Sequence, residues 1–195
     1  MDPHHWLHLT GYVWVVFLIY WFISAFRLKA VKQRESVGQR LRHLIPMVVA
    51  YFLLFRDDLS ESWLAKRFVP STDPVGEVGL AFVILGIAFA IWARRHLGAN
   101  WSGIVTLKED HELIRTGPYR NIRHPIYTGM LLALAGSAIA LGEVRGVLAV
   151  LVAWTALFFK AQREEKVLRQ EFGEKFETHL KHTGMFLPRF SSAGS

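Results

Sequence analysis

Cysteine is absent from all 195 residues. That removes a disulfide scaffold, thiol catalysis and any Cys-ligated metal from consideration. Charge is scarce as well. Only 20% of residues are charged against 52% hydrophobic, and the mean hydropathy is +0.24. A disordered chain needs the reverse balance and is excluded. No Gly-Xaa-Ser-Xaa-Gly elbow occurs, so the usual serine-hydrolase nucleophile is missing. No glycine-rich nucleotide loop follows a strand, and no βαβ pattern is found, which excludes a Rossmann-type cofactor domain. The nine histidines supply no His-Glu-Xaa-Xaa-His zinc-protease pattern, and no metal is expected. The chain shows neither an internal repeat nor a low-complexity segment. Its net charge of +7 and pI of about 9.9 would suggest nucleic acid in a soluble protein. The placement of the charges points instead to a membrane, and no nucleic-acid partner is expected.

What the chain has is long apolar stretches. Residues 9–26 carry no acidic or basic side chain over 18 positions. At ~1.5 Å rise per residue, a helix of that length covers about 27 Å, close to the hydrocarbon thickness of a bilayer. Residues 75–93 carry only Glu77, near one end, and residues 126–142 and 146–159 carry none. Residues 44–55 form a weaker run containing Pro46. To cross, that run needs residues 39–43 with Arg40 and Arg42 snorkelling. Any one run would suit a buried core helix. Five in a chain of this size leave too little polar surface for a water-soluble globule. The pattern predicts an all-α integral membrane protein with five transmembrane helices.

The basic residues set an orientation. Lys and Arg number six in residues 27–43, six in 94–125 and seven in 160–195, but three in 56–74 and one in 143–145. Alternate segments therefore carry 19 and 4, and basic residues collect on the cytoplasmic side of short loops. The N-terminus is expected outside and the C-terminus in the cytoplasm. The first run is expected to be retained as an anchor, because its basic cluster follows it instead of preceding it.

Only Glu143, Val144 and Arg145 separate the last two runs, so these must form an antiparallel helical hairpin. Gly129, Ala133, Gly136, Ser137 and Ala140 recur at steps of three and four, a stripe suited to close helix packing. Residues 94–125 hold three glycines and two prolines and read as an irregular folded loop. From Lys160 to Lys181, Val167, Leu168, Phe172, Phe176 and Leu180 make one apolar stripe. That segment is expected to continue the fifth span as an amphipathic helix, broken near Gly173. Phe186, Leu187 and Phe190, with Pro188, would then return to the interface.

Chemistry concentrates in residues 115–129, Arg-Thr-Gly-Pro-Tyr-Arg-Asn-Ile-Arg-His-Pro-Ile-Tyr-Thr-Gly. Arg115, Arg120, Arg123 and His124 gather just before a span, and Pro125 opens a helix whose N-terminal amides face the same interface. The set suits a carboxylate or phosphate. A positive loop resting on lipid headgroups fits the composition too. The second signal is Glu164-Glu165, just past the fifth span. Adjacent helical residues point about 100° apart, so at most one should aim at a given pocket. Glu165 is a candidate acceptor from a diol and Glu164 a candidate partner of Arg123, or both lie on a solvated face beside Lys166 and Arg169. The short hairpin turn returns residues 123–127 and 160–165 to one membrane surface.

Residues 97–102 (Leu-Gly-Ala-Asn-Trp-Ser), 111–113 (His-Glu-Leu), 117–119 (Gly-Pro-Tyr), 123–129 (Arg-His-Pro-Ile-Tyr-Thr-Gly), Glu164-Glu165 and Phe172-Gly173 with Phe176 resemble the isoprenylcysteine carboxyl methyltransferase family. That family shares this region with membrane phosphatidylethanolamine N-methyltransferases. The resemblance covers residues 92–190. It implies an integral membrane methyltransferase using S-adenosylmethionine in a cytoplasmic cofactor pocket, and a lipophilic, lipid or prenylated acceptor reached from the bilayer. It divides the chain into N-terminal transmembrane helices (1–93, three spans) and a methyltransferase core (94–195). Carried over by motif, Leu113, Tyr119, His124, Tyr127 and Glu165 would line the cofactor site, while Arg123, Glu164 and Asn100 would face the reacting group. The family often has Arg four residues before the first Glu of the pair; here that residue is Lys160, which keeps the charge but loses the bidentate fork.

Two other acceptors suit the same fold, a phospholipid amine and a small thiol. A reading of another class is a non-enzymatic lipid-binding or transport protein. Against it, no ionisable residue sits in the middle of a span, whereas transport paths usually need such groups.

Overall fold

A computed structural model of the protein describes residues 5–25, 37–56, 59, 62–98 and 113–189. Among the described residues six α-helices follow in order: α1 (His5–Ala25), α2 (Val37–Phe55), α3 (Asp73–Leu97), α4 (Pro125–Leu141), α5 (Val144–Phe172) and α6 (Glu174–His182). Short 3-10 turns cover Trp63–Ala65 and Gly117–Arg120. Among the described residues no strand forms, and two isolated bridges join Arg67 to Glu143 and Ile122 to Gly184.

Helix limits follow local chemistry. Pro74 and Pro125 lie in the first turns of α3 and α4, where a missing N–H costs nothing. Gly142 ends α4 in the left-handed region (φ 68°), and its N–H bonds the Ala138 carbonyl at 2.8 Å. Gly173 (φ 51°) divides α5 from α6. α5 runs through residues 160–172 without interruption, so the amphipathic tail is the end of α5 followed by α6, with the break where Gly173 was expected to place it.

The first five helices alternate in direction. Trp6 Nε1 at the start of α1 donates to Asp73 Oδ1 at the start of α3 (2.9 Å). At the far ends, Arg94 Nη2 donates to the Ser24 carbonyl (3.0 Å). α1 and α3 are therefore parallel. α4 runs against α3, with Gly79 facing Gly136 and Ala140, and Gly86 facing Gly129 and Ala133. α2 runs against α5: the carbonyl of Arg56, just past α2, accepts from Arg145 at the start of α5. Among the described residues, three helices are long and apolar enough to cross a membrane, His5–Ser24, Asp73–Leu97 and Val144–Phe172. α2 has 19 residues and α4 has 17. Val16, Phe22 and Ile23 on α1 and Leu85 on α3 lie exposed, an outward apolar surface that water would penalise and lipid would not.

The small-residue stripe on α4 packs as expected. Its counterpart on α3 (Gly79, Val83, Gly86, Ala90) is equally buried, but in the sequence it is masked by the bulky residues between its members. Trp14 Nε1 of α1 reaches this seam and donates to Ser137 Oγ at 3.0 Å.

At the end of the bundle away from His124, a charged cluster closes the hairpin turn. Arg145 Nε donates to Glu143 Oε2 at 2.7 Å, with both side chains no more than 5% exposed. Arg145 Nη1 also donates to the carbonyls of Arg56 and Leu53. Arg67 lies 3.7 Å from Glu143, and the Phe68 N–H bonds the Gly142 carbonyl (3.0 Å). Residues that read as a polar turn thus bind α2, the 62–69 segment and the hairpin together in the interior.

Candidate functional site

The site grows from three short pieces of chain. After the 3-10 turn Gly117–Arg120, residues 121–124 lead into Pro125 and α4. The tail past α6 lies along them. The Arg123 N–H bonds the Gly184 carbonyl (2.9 Å) and the His124 N–H bonds the Met185 carbonyl (3.1 Å). The N–H groups of Gly184 and Arg189 both bond the Asn121 carbonyl (3.1 Å each). Thr128 Oγ1 adds a bond to the Phe186 carbonyl (2.7 Å). The third piece is the end of α5, brought alongside by the hairpin.

Five of the eight expected site residues meet here. Arg123 Nε donates to Glu165 Oε1 at 2.7 Å. The same oxygen lies 3.2 Å from His124 Nε2. His124 Nδ1 lies 3.4 Å from Glu164 Oε2. Tyr127 Oη donates to Glu164 Oε1 at 2.6 Å. The Tyr127 and His124 rings stack in parallel, 5.4 Å between centroids, and Phe186 meets both edge-on. The cluster is well buried: side-chain exposure is 12% for Arg123 and 7% for each of His124 and Glu165.

Two expectations are corrected. Arg123 pairs with Glu165, not Glu164, which instead binds Tyr127 and stands 3.6 Å from Lys160 Nζ. Nor does only one glutamate reach the site. His124 sits between the two side chains and offers one ring nitrogen to each, so the 100° separation along the helix is spanned by the width of the imidazole.

The remaining expected residues stand further off. Tyr119 is buried against Ala93 and Ile126, and its hydroxyl lies 3.4 Å from the Ala93 carbonyl. Burial, followed by the charge of Glu164, raises its phenol above the ordinary range. Leu113 is half-buried in the approach to the 3-10 turn. Asn100 lies outside the described residues.

Burial alone would push the His124 imidazole down, but hydrogen bonds to Glu164 and Glu165 and their charges outweigh it, so its pKa lies above the usual value. His179 on α6 behaves in the opposite way. Burial, then the positive charges of Arg115 and Arg123, lower it to about 4.

The sequence profile of the phospholipid methyltransferase family matches residues 75–175. The chain belongs to that family. The match to this methyltransferase profile covers α3, α4 and α5 and stops just after Gly173, so it contains the glycine seam, the Arg-His-Pro turn and both glutamates. A probable protein-S-isoprenylcysteine O-methyltransferase of Oryza sativa subsp. indica is 32% identical over 116 residues, covering 57% of this chain and 61% of that one. The protein-S-isoprenylcysteine O-methyltransferase of Schizosaccharomyces pombe is 32% identical over 112 residues, 56% of this chain and 48% of that one. The chain therefore spans about half to three fifths of the length of these curated relatives. The solved structure of the eukaryotic intramembrane Ras methyltransferase ICMT aligns with a TM-score of 0.49 and 23% identity, over 80% of this chain and 54% of that one.

Several residues of this phospholipid methyltransferase family member join the site without having been singled out for it. Thr183 accepts from Arg123 Nη1 through its carbonyl and its hydroxyl. Phe186 covers the stacked rings, Leu187 is exposed, and Phe190 lies outside the described residues. His179 is buried beside the same pair. Lys160, noted only as a departure, holds Glu164 and lies 5.2 Å over the Tyr127 ring. Its (i, i+4) spacing to Glu164 was the available signal; for Thr183 and Phe186 no local signal exists.

Proposed function

We propose that this chain is an integral membrane methyltransferase that uses S-adenosylmethionine to esterify the carboxylate of a lipophilic, prenylated acceptor. One observation carries the reading: Arg123 and His124 converge on a single carboxylate oxygen, Oε1 of Glu165, at one end of the helical hairpin. The donor set fits the cofactor. Glu164 and Glu165 are acceptors for hydroxyl or ammonium groups, Arg123 and His124 are donors for a carboxylate, and the Tyr127 and Phe186 rings offer flat apolar faces. Leu113 and Tyr119 would complete the cofactor lining, and Asn100 would join Arg123 and Glu164 at the reacting group.

When bound, the cofactor supplies a methyl group activated on a sulfonium, which a nucleophile takes up by direct displacement. The protein then has to align and dry the reactants. A carboxylate acceptor is ionised at neutral pH and needs no base. Arg123 orients it, while the bond to Glu165 keeps the guanidinium from neutralising the acceptor. An amine acceptor would need Glu164 as a base. Glu164 already accepts from Tyr127 Oη and faces Lys160, an arrangement that favours the carboxylate over a phospholipid amine or a thiol.

The reading includes five crossings, the N-terminus outside, and the site on the cytoplasmic side. Residues 94–195 carry the chemistry, and the helices within residues 1–93 form the scaffold. The test supplies purified protein and native membranes with radiolabelled methyl donor. Label that returns as volatile methanol in base supports an ester; stable label identifies an amine or thiol product. Unchanged binding of S-adenosylhomocysteine after both Glu165→Ala and His124→Ala would overturn the site.

A further inference from the structure

A second feature lies on the opposite face of α5. Between α2 and α5 runs a groove of about 730 Å³, within the ~300–1,000 Å³ typical of small-molecule sites. Its walls are Pro46, Leu151 and Phe159, and Arg42, Arg163 and Lys166 stand at its mouth. Among the described residues no acidic side chain lines it. Arg163 is half-buried, and its Nε lies 3.4 Å from the Phe159 carbonyl. Arg42 and Lys166 are exposed, and neither has an ion-pair partner among the described residues. Pro46 withdraws the N–H that would bond the Arg42 carbonyl, which loosens α2 at the height of the groove.

At ~100° per residue, the mean direction of positions 155, 159, 163 and 166 of α5 is about 180° from that of positions 160, 161, 164 and 165, and none of the latter four lines the groove. A molecule in the groove therefore does not touch the Glu164–Glu165 site. The groove is apolar along its length and lined by basic side chains at one end, a pattern complementary to a molecule with an acyl chain and an anionic head. A prenylated acceptor has to present its carboxylate to Arg123, which does not line this groove. A zwitterionic headgroup would bring a cation of its own against the basic side chains.

We propose that the α2–α5 groove binds one anionic phospholipid, with its acyl chain against Pro46, Leu151 and Phe159 and its phosphate held by Arg42, Arg163 and Lys166. The proposal is independent of the methyl-transfer reading. Attraction between juxtamembrane basic residues and anionic headgroups is additive over a few side chains and screened by salt.

Full-length protein would be incorporated into mixed vesicles of phosphatidylcholine and phosphatidylglycerol, extracted in mild detergent, and its retained lipid identified by native mass spectrometry. One phosphatidylglycerol should be retained in preference to phosphatidylcholine. The triple variant R42A/R163A/K166A should lose at least about tenfold of that preference. The charge-preserving variant R42K/R163K/K166R should keep it. Thr155→Trp fills the groove without changing charge and should displace the lipid. All variants should bind S-adenosylhomocysteine as the parent does, which separates this result from a failure of the methyltransferase site. Equal retention of the two lipids, or undiminished preference in the alanine variant, would overturn the proposal.

Discussion

Gly86 of α3 and Gly129 of α4 touch through their backbones. A Cβ built on Gly86 would fall 2.5 Å from the Gly129 carbonyl oxygen, and one on Gly129 would fall 2.5 Å from the Gly86 carbonyl oxygen. The obstacle on each side is main chain, which cannot rotate away. This contact lies five residues beyond His124, so it sets where α4 presents its first turn. Gly129→Ala or Gly86→Ala should force the helices apart and cost ~1–3 kcal/mol, the usual range for overpacking. Thermal unfolding in detergent reads the loss, while Gly38→Ala, with open space around the site of the new methyl, should be neutral within about 0.5 kcal/mol.

The Arg123–Glu165 pair is a buried ion pair with short geometry. Removing one partner leaves an uncompensated charge, at a cost of ~3–5 kcal/mol. Arg123→Met and Glu165→Gln should each be strongly destabilising alone. The double variant should lose less than the two single losses combined, which unfolding of all four proteins in a double-mutant cycle would detect.

The two perturbed histidines give stability opposite pH dependences. His124 is raised above 6.5 in the fold, so its protonated form contributes stability that is complete below its unfolded pKa and fades as pH rises through the folded value. His179 is lowered to about 4. Between about 4 and 6.5 the unfolded chain binds that proton more readily, so stability falls as pH drops through this window. Thermal unfolding against pH should show His179→Asn flattening the acid side and His124→Asn flattening the side above 6.5. An unchanged acid limb in His179→Asn would refute the assignment.

At the other end of the bundle, Arg145 is 1% exposed and joins Glu143 to the end of α2. Arg145→Ala should cost ~3–5 kcal/mol, because buried Glu143 would lose its 2.7 Å partner and keep the longer contact to Arg67. The effect should appear in the unfolding midpoint, with S-adenosylhomocysteine affinity unchanged in the fraction that stays folded.

Much of the architecture could be read from local properties. Apolar runs with at most one charge placed four of the five long helices, and Arg40 and Arg42 fell inside the weak α2 as that reading required. The juxtaposition of residues 123–127 with 160–165 followed from a hairpin turn too short to do anything else. Pairing within the site was not legible. Arg123 chooses Glu165 over Glu164 because the rotation of α5 against the 121–124 segment sets which carboxylate lies nearer. The tail that fixes Arg123 through Thr183 and Gly184 is sixty residues away in the chain.

Hydropathy, the spread of basic residues and the Arg-His-Pro motif with its paired glutamates determined, by themselves, a helical membrane chain with its polar chemistry gathered at one surface. These are short-range properties, since each helix meets lipid or interface residue by residue. Only the tertiary structure decided that His124 bridges both glutamates, that Lys160 and Tyr127 hold the first of them, and that Arg145 is buried. Each of those depends on how helices rotate and slide against one another, and backbone contacts such as that between Gly86 and Gly129 set that register.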